Sequence, residues 1–402
     1  MFRRTFYLWL FCLTAGVISA GAQTPCTSTK LACLLPFALH TNQGTFNFFN
    51  ETFATQIGQL PLATPASGFI FTFDKKTGVY HSSQDSFGPM VAERSETIGR
   101  HKLYVAFTYQ RFGFDELDGN NLGSLPLLFT FTSAQMPTVY TETANRIDSK
   151  VNQYVVFGTY GITSRVDGSV AIPINRVSLG VSTVGDEYSA TTPATVHFTQ
   201  TLAGEASGFG DVVLAGKGTL YKSEKYGVAV GMELRLPTGD AQNFLGSGAT
   251  GIKPYLAVER RGKIAPHLNL LYQWNSSSAL NTNSTGAQQP LPGFFGYTLG
   301  ADMGLLKSLT VDVDLVGQHF FNSPRITQPV EVTPPNFTNP NAKLPFSTVQ
   351  AFSGDYEVDN LAVGIKFNPW RQLLLMGNAT VKLNDGGLRS TVVPLVGASY
   401  SF

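Results

Sequence analysis

The stretch YGVAVGMELRL, residues 226–236, indicates the fold of this chain because large apolar residues alternate in it with small or polar ones. Every second residue from Tyr226 to Leu236 is large and apolar, whereas the residues between them are Gly, Ala, Glu and Arg. A period of two is typical of a β-strand with one apolar face. The stretch is about twice as long as an average strand of a soluble protein.

Similar segments recur along the chain, and three of their features favour a membrane barrel over a soluble β-sandwich. Tilted strands of about ten residues can cross an apolar band roughly 25 Å tall. Aromatic residues such as Tyr226, Tyr272 and Trp274 lie at the ends of the apolar faces, where membrane barrels have aromatic girdles. Short connections such as residues 222–225 alternate with long polar ones such as residues 275–292. We therefore predict an all-β, transmembrane antiparallel β-barrel.

The number of strands follows from counting the alternating segments. Twelve segments carry the pattern, and an even number is the rule for bacterial barrels. They are residues 102–114, 149–161, 168–182, 209–221, 226–237, 251–261, 265–275, 293–303, 307–318, 356–368, 371–383 and 389–402. A hairpin candidate with a Gly-containing turn, residues 68–83, would raise the count to fourteen if it joined the wall. The last segment alternates up to Phe402, which resembles the terminal signal that the barrel-assembly machinery recognises.

Composition and the N-terminus predict where the protein is located. With 14% charged residues, 43% hydrophobic residues and a formal net charge of +1, the chain is neither disordered nor a nucleic-acid-binding protein by charge. Arg3 and Arg4 precede an apolar run at residues 6–18, and Ala20 and Ala22 form a small-x-small cleavage site. This pattern predicts a signal peptide over residues 1–22. We expect export to a Gram-negative outer membrane, with the lipid bilayer as a partner.

Within residues 23–100, the stretch at residues 31–63 lacks the barrel alternation and is rich in Phe and Leu. We predict that residues 23–100 form a plug inside the barrel or a periplasmic segment, with a mobile tail as the alternative. Cys26 and Cys33 predict a local disulfide in an exported chain, with two free thiols as the alternative. Phe46, Phe48 and Phe49 are the residues that we expect to line an apolar, solute-binding pocket between plug and wall, unless they only pack the plug.

Charged and polar side chains alternate with the apolar face and are predicted to line the lumen. They are Lys217, Glu233, Arg235, Lys253, Glu259, His267, Asp312, Asp314 and Lys366. Acidic and basic groups nearly balance, so the lumen is not expected to select strongly for one sign of ion. We expect ion pairs across neighbouring strands.

The sequence contains no catalytic or metal-binding motif that we could identify. Its six histidines are scattered, and no Ser/His/Asp or HExxH arrangement is present. For His267 and His319, a satisfied polar wall residue is a simpler interpretation than a hydrolase site. We therefore predict that the protein is not an enzyme and has no cofactor and no metal.

Two stretches resemble a known family. LRLPTGDAQNFLGSGATGIKPYLAVER (residues 234–260) and TYGITSRVDGSVAIPI (residues 159–174) are similar to recurring stretches of the outer-membrane barrel family known as "MetA-pathway of phenol degradation". That family is related to long-chain fatty-acid transporters of the outer membrane. The matching residues are Tyr160, Gly161, Arg165, Asp167, Pro237, Thr238, Gly239, Asp240, Gly246 and Gly248. The resemblance implies a passive transporter or porin for small hydrophobic or aromatic compounds.

The sequence therefore predicts three regions and leaves two functions open. The regions are a signal peptide (residues 1–22), a plug or periplasmic segment (residues 23–100) and an outer-membrane β-barrel (residues 101–402). The first function is a transporter of small hydrophobic solutes. The alternative is a structural or adhesive barrel whose long loops bind a partner.

Overall fold

The computed structural model describes residues 30–34, 47–58, 60, 71–74, 79–82, 86–133, 136–283, 286–370 and 372–402. The predicted signal peptide, residues 35–46 and most of residues 61–85 lie outside these ranges. Among the described residues, the helical elements are helix α1 (Asn47–Ile57) and two 3-10 turns, Leu31–Cys33 and Ala241–Asn243. Within the described ranges, no helix has the length and apolar character needed to cross a membrane.

Fourteen strands form one large antiparallel sheet. They are β1 (Leu103–Phe114), β2 (Leu125–Ser133), β3 (Met136–Gly161), β4 (Val166–Ser189), β5 (Thr195–Phe209), β6 (Val212–Lys222), β7 (Tyr226–Leu236), β8 (Gly251–Arg260), β9 (Ile264–Asn275), β10 (Phe294–Leu306), β11 (Leu309–Ile326), β12 (Ala351–Trp370), β13 (Leu373–Lys382) and β14 (Val392–Ser401).

Twelve of these strands close into a barrel, which confirms the predicted fold. Strands β6 to β14 pair in sequence order, β14 pairs with β1, β1 with β3, β3 with β4, and β4 with β6. The ring corresponds to the twelve alternating segments of the sequence. Closure is what a membrane barrel needs, because an open sheet edge in lipid would leave backbone groups without hydrogen bonds.

The two additional strands are not the predicted hairpin. Strands Phe71–Asp74 and Val79–Ser82 pair with each other in a separate two-stranded sheet, so this hairpin does not join the wall, and the count of twelve wall strands is confirmed. The additional strands are β2 and β5, which pair with the halves of β3 and β4 that extend beyond the ring. These extended halves have backbone donors and acceptors that need partners, and β2 and β5 supply them.

The apolar face of the barrel points outwards and the polar face points inwards. Large apolar side chains in mid-strand are exposed, for example Phe107 at 49%, Leu299 at 54% and Ile365 at 54%. In contrast, Asp312 and Lys366 are fully buried. This arrangement is the reverse of that in a soluble protein and is typical of a barrel surrounded by lipid.

The two ends of the barrel differ. At one end, called the turn end below, short connections such as residues 223–225 and 307–308 join the strands. At the other end, the loop end, the connections are long and carry short strands of their own. These are Glu116–Leu117, Asn120–Asn121, Ser277–Thr282, Gln288–Pro290, Val330–Val332, Phe346–Thr348 and Leu388–Arg389.

Two parts of the N-terminal region lie inside the barrel. Helix α1 packs at the loop end against strand Ser277–Thr282 and the last part of β11. Residues 86–98, called the inner segment, lie at the turn end. There the Phe87 backbone N–H donates to Thr310 Oγ1 at 2.9 Å, and the Ile98 N–H donates to Asp167 Oδ2 at 2.8 Å.

Candidate functional site in the barrel lumen

A cavity of about 210 Å³ lies in the lumen between helix α1 and the inner segment. Gln56, Gly58 and Leu60 line it from the side of the helix, and Val91 and Glu93 line it from the inner segment. The remaining lining residues come from the wall. Both interior parts of the N-terminal region therefore contribute to the same chamber.

The wall gives this cavity one polar and one mainly apolar side. The polar side comes from the adjacent strands β6 to β9, and its residues are Lys217, Glu233, Arg235, Lys253, Tyr255, Asn269 and Gln273. The apolar residues come mostly from the strands opposite, and they include Phe112, Phe114, Phe157, Phe294, Val316 and Val358. A chamber of this kind suits a small amphipathic molecule.

An ion pair and a guanidinium build the polar side. Glu233 and Lys253 are register partners on β7 and β8, and Lys253 Nζ lies 2.6 Å from Glu233 Oε2. The guanidinium of Arg235 donates to Asn275 Oδ1 at 2.7 Å and to the backbone carbonyl of Gly58. Arg235 thus attaches the C-terminal end of α1 to the wall.

The loop after β7 folds inwards around Asp211. One Asp211 carboxylate oxygen accepts from the Gly239 N–H at 3.1 Å, and the other accepts from the Ser247 N–H at 2.8 Å. Gly239 also lies against the backbone of Gly246, where an added Cβ would come within 2.7 Å of the Gly246 nitrogen. Glycine is needed because two backbones meet here, which explains the two glycines at this point of the PTGD stretch.

Wall side chains hold the inner segment by its backbone carbonyls. Lys366 Nζ donates to the Pro89 carbonyl at 2.7 Å, and Asn269 Nδ2 donates to the Glu93 carbonyl at 2.9 Å. Thr219 Oγ1 donates to the Ser95 carbonyl at 2.7 Å. The segment has no regular structure, so these bonds satisfy backbone groups that would otherwise be buried without partners.

Charges of the inner segment pair with charges of the wall. Lys217 Nζ lies 3.6 Å from Glu93 Oε2, and Glu259 Oε2 lies 3.8 Å from Arg94 Nε. Several lumen charges therefore pair with the N-terminal region and not only across neighbouring strands. Sequence analysis missed the charges of the inner segment, although the ERSE run at residues 93–96, a few positions before the first wall strand, was a usable signal.

His267 is a buried wall residue that lies between two carboxylates. Its Nε2 lies 2.6 Å from Asp314 Oδ1, its Nδ1 lies 3.4 Å from Asp302 Oδ1, and Ser86 Oγ donates to the other oxygen of Asp302. In a hydrolytic triad the histidine lies between the serine and the acid. Here Asp302 lies between Ser86 and His267, so these side chains do not have the order of a triad. Within the described parts of the chain, no cluster of His, Cys, Asp and Glu side chains could hold a metal ion.

Phe49, from the predicted aromatic set, packs within the core at the loop end. Its ring centroid lies 4.7 Å from that of Phe53, which in turn lies 5.0 Å from Phe244. Phe49 is not among the residues that line the cavity. Phe46 and the side chain of Phe48 lie outside the described residues, and their predicted role stays a prediction.

Cys33 and Glu51 are two further N-terminal residues with notable environments. Cys33 is disulfide-bonded, while Cys26, its predicted partner, lies outside the described residues. Glu51 on α1 accepts a hydrogen bond from Asn281 Nδ2 at 2.9 Å. Burial raises the pKa of the Glu51 carboxyl from 4.5 to about 7.

Comparison with known proteins supports the resemblance found in the sequence. The family model described as "Putative MetA-pathway of phenol degradation" matches residues 131–318, which confirms that resemblance. A comparison with curated proteins finds no match.

Solved structures to which this chain is similar include an outer membrane channel from Pseudomonas putida F1, with 16% identity and a TM-score of 0.48; the match covers 77% of this chain and 98% of that chain. They also include the NanC porin, with 9% identity and a TM-score of 0.36; this match covers 74% of this chain and 98% of the porin. A FadL homologue from Pseudomonas aeruginosa has 8% identity and a TM-score of 0.34; this match covers 87% of this chain and 96% of the homologue.

Proposed function

We propose that this protein is an outer-membrane channel through which small hydrophobic or aromatic compounds cross passively. The observation that carries the proposal is the cavity of about 210 Å³ inside a closed barrel whose outer surface is apolar. The match to the family described by a phenol-degradation pathway supports the same class of solute.

The size and lining of the cavity suit a molecule with one aromatic ring. An apolar protein cavity of about 150 Å³ is large enough to bind benzene. The cavity here is larger and adds polar groups on one side, so it can accept a ring that bears a hydroxyl or a similar substituent. Because Lys253 pairs with Glu233 and Lys217 pairs with Glu93, these charges do not exclude a neutral solute.

Passage requires one of the interior elements to move. Helix α1 lies on the loop side of the cavity and the inner segment lies on the turn side. The inner segment is held by separate side-chain hydrogen bonds, not by a continuous strand pairing. Such bonds can break in small groups, so we expect transient openings and not a permanently wide pore.

The membrane location follows from the same proposal. An exposed apolar surface around the outside of a barrel needs a lipid environment. Bacterial β-barrels of this kind occur in the outer membrane. In the last strand, Tyr400 and Phe402 point their rings outwards, and the Phe402 N–H donates to the Leu103 carbonyl at 2.7 Å. This strand is the part that we expect the barrel-assembly machinery to bind.

The proposal can be tested by filling the cavity. The full chain is reconstituted in liposomes, and uptake of a labelled neutral aromatic alcohol is compared with that of protein-free liposomes. Val213 points into the cavity, whereas its neighbour Leu214 is 43% exposed on the outer face of the same strand. Val213→Trp should abolish most saturable uptake, and Leu214→Trp, the matched control, should leave it unchanged.

Two outcomes would contradict the proposal. Uptake by the wild-type protein that equals the protein-free background would favour the alternative, a structural or adhesive barrel that acts through its loops. Equal uptake by the wild-type and Val213→Trp proteins, with both shown to be heat-modifiable folded barrels, would show that solutes do not pass through this cavity.

A further inference from the structure

We propose that Arg389 and Ser390 form a carboxylate-binding site in the lumen cavity, so that the transported solutes include small aromatic carboxylates. This inference rests on the proposed channel function and adds the chemical class of solute. Both residues line the cavity at the loop end, on its mainly apolar side. Sequence analysis did not single out either residue.

Arg389 is buried, and its hydrogen-bonding capacity is only partly used. Arg389 is only 3% exposed. Its Nη2 donates to the Asp359 carbonyl at 2.9 Å and to Asn360 Oδ1 at 2.8 Å. Among the described residues, Nε of Arg389 and Oγ of Ser390 are buried without a hydrogen-bond partner. Two adjacent residues thus present unsatisfied polar groups beside one cavity.

The other cationic side chains of the cavity have carboxylate partners. Lys253 pairs with Glu233 at 2.6 Å, Lys217 lies 3.6 Å from Glu93, and Arg235 lies 3.8 Å from Asp211. Among the ion pairs of the described residues, none involves Arg389. Arg389 therefore differs from the three other cations that line the same cavity.

The acidic residues nearest to Arg389 are engaged elsewhere. The Asp359 carboxylate accepts from Tyr297 Oη at 3.1 Å and from Asn384 Nδ2 at 2.8 Å. Glu116 and Asp385 both bind Lys382. The guanidinium thus has only neutral hydrogen-bond acceptors in the described structure.

A buried guanidinium that no carboxylate contacts directly is energetically unfavourable, because arginine stays protonated and loses its hydration. A carboxylate that enters the cavity would supply this direct contact and accept from the free Nε–H. Both hydrogens of Nη2 already bind the wall, so a carboxylate would accept one charge-assisted hydrogen bond from Nε–H, and the Ser390 hydroxyl can donate a second.

The surroundings of the site select a carboxylate that is attached to an apolar group. Leu388 and Val393 line the cavity next to the two polar residues, and Phe112 and Phe114 line it from β1. A ring can occupy this apolar space while its carboxylate contacts Arg389. A small inorganic anion would leave the space unfilled and would gain no hydrophobic stabilisation.

The backbone around Arg389 is held in place before any solute binds. Strand Leu388–Arg389 pairs with Glu116–Leu117, and the Asp115 N–H donates to the Arg389 carbonyl at 3.0 Å. Gly387, which precedes this strand and has a φ of 69°, donates its N–H to Asp118 Oδ1 at 3.0 Å. A fixed backbone lowers the entropic cost of binding, as expected for a binding site.

The test compares benzoate with benzyl alcohol, a neutral molecule of similar shape. Titration calorimetry on the full-length protein in detergent should show that the wild-type protein binds benzoate about tenfold or more tightly than benzyl alcohol. Arg389→Gln should remove this preference and leave the affinity for benzyl alcohol unchanged. Arg176→Gln is the matched control, because Arg176 is an exposed arginine that pairs with Glu205 on the outside, and it should bind both compounds as the wild type does.

Ser390→Ala provides a second variant if Arg389→Gln does not assemble into a heat-modifiable barrel. It should weaken the binding of benzoate severalfold and leave that of benzyl alcohol unchanged. Equal affinities of the wild-type protein for benzoate and benzyl alcohol, or an unchanged preference in the variants, would overturn the carboxylate site while the channel function stands. Failure to take up any aromatic compound would instead overturn the proposed function itself.

Discussion

The substitution Lys217→Met should open the turn end of the barrel. Lys217 is 4% exposed on β6, its Nζ lies 3.6 Å from Glu93 Oε2, and it donates to the Arg94 carbonyl at 3.2 Å. Methionine keeps the length of the side chain but removes its charge. Glu93 is then left as a buried anion that has lost its nearest cation.

The magnitude follows from the burial of this pair. Removing one partner of a buried ion pair costs about 3–5 kcal/mol, and each 1.4 kcal/mol changes an equilibrium about tenfold. The population in which the inner segment is detached should therefore rise by two to three orders of magnitude, by this estimate. Adding Glu93→Gln to Lys217→Met should reverse much of the effect, because no unpaired charge would then be buried.

Single-channel conductance in planar bilayers measures the effect as the frequency of openings. The matched control is Lys222→Met on the same strand, since Lys222 Nζ lies 3.0 Å from Glu96 of the same segment but its side chain is 60% exposed. An exposed pair contributes about 0–1 kcal/mol, so openings should increase less than about fivefold. If Lys217→Met opens no more often than Lys222→Met, the inner segment does not close the turn end through this ion pair.

Three further predictions concern the wall, helix α1 and the inward-folded loop. Val230→Arg, at the middle of β7 on the outer face, should destabilise the barrel in the membrane by about 2–4 kcal/mol and lower the yield of heat-modifiable barrel. Leu220→Arg, near the turn end, should destabilise it by only about 0–1 kcal/mol. Equal yields of the two variants would contradict a lipid-facing surface. Because burial raises the pKa of Glu51 to about 7, the stabilisation of docked α1 should be complete below pH 4.5 and be lost as the pH rises through 7. Hydrogen exchange of residues 47–57, corrected for intrinsic rates, should show the loss as weaker protection at high pH in the wild type. If Glu51→Gln loses protection over the same pH range, a group other than Glu51 is responsible. Gly239→Ala should destabilise the barrel by about 1–3 kcal/mol in thermal unfolding, because its Cβ would meet the Gly246 backbone, while Gly216→Ala, with nothing within 4 Å of its Cβ, should be tolerated.

The sequence by itself determined the ring of the barrel and the orientation of its faces. Successive side chains of a strand point to opposite faces, so an alternating segment such as residues 226–236 shows both that a strand is present and which face is in lipid. The charged residues between the apolar ones were placed in the lumen by the same rule, and Glu233 and Lys253 are register partners there. Short connections marked the ends of the strands, because a short connection, like the alternation, is visible in neighbouring residues of the sequence.

Only the tertiary structure showed how the extended halves of β3 and β4 are covered. The sequence of β5, TVHFTQTLAGEASGF, has no continuous apolar face, because β5 lies beyond the ring and does not need one. Its partner, β4, supplies the backbone groups that make it a strand. Periodicity could not indicate such pairing, since the signal of a wall strand comes from contact with lipid.

The contents of the lumen were also decided only by the tertiary structure. Glu93 and Lys217 are 124 positions apart in the chain, and nothing in the local pattern of either segment relates them. The same holds for Arg389, whose lack of a carboxylate partner results from the engagement of Asp359 and Glu116 with other residues. Pairing of charges in a lumen depends on distances in the closed barrel, and the sequence specifies those distances only through the complete fold.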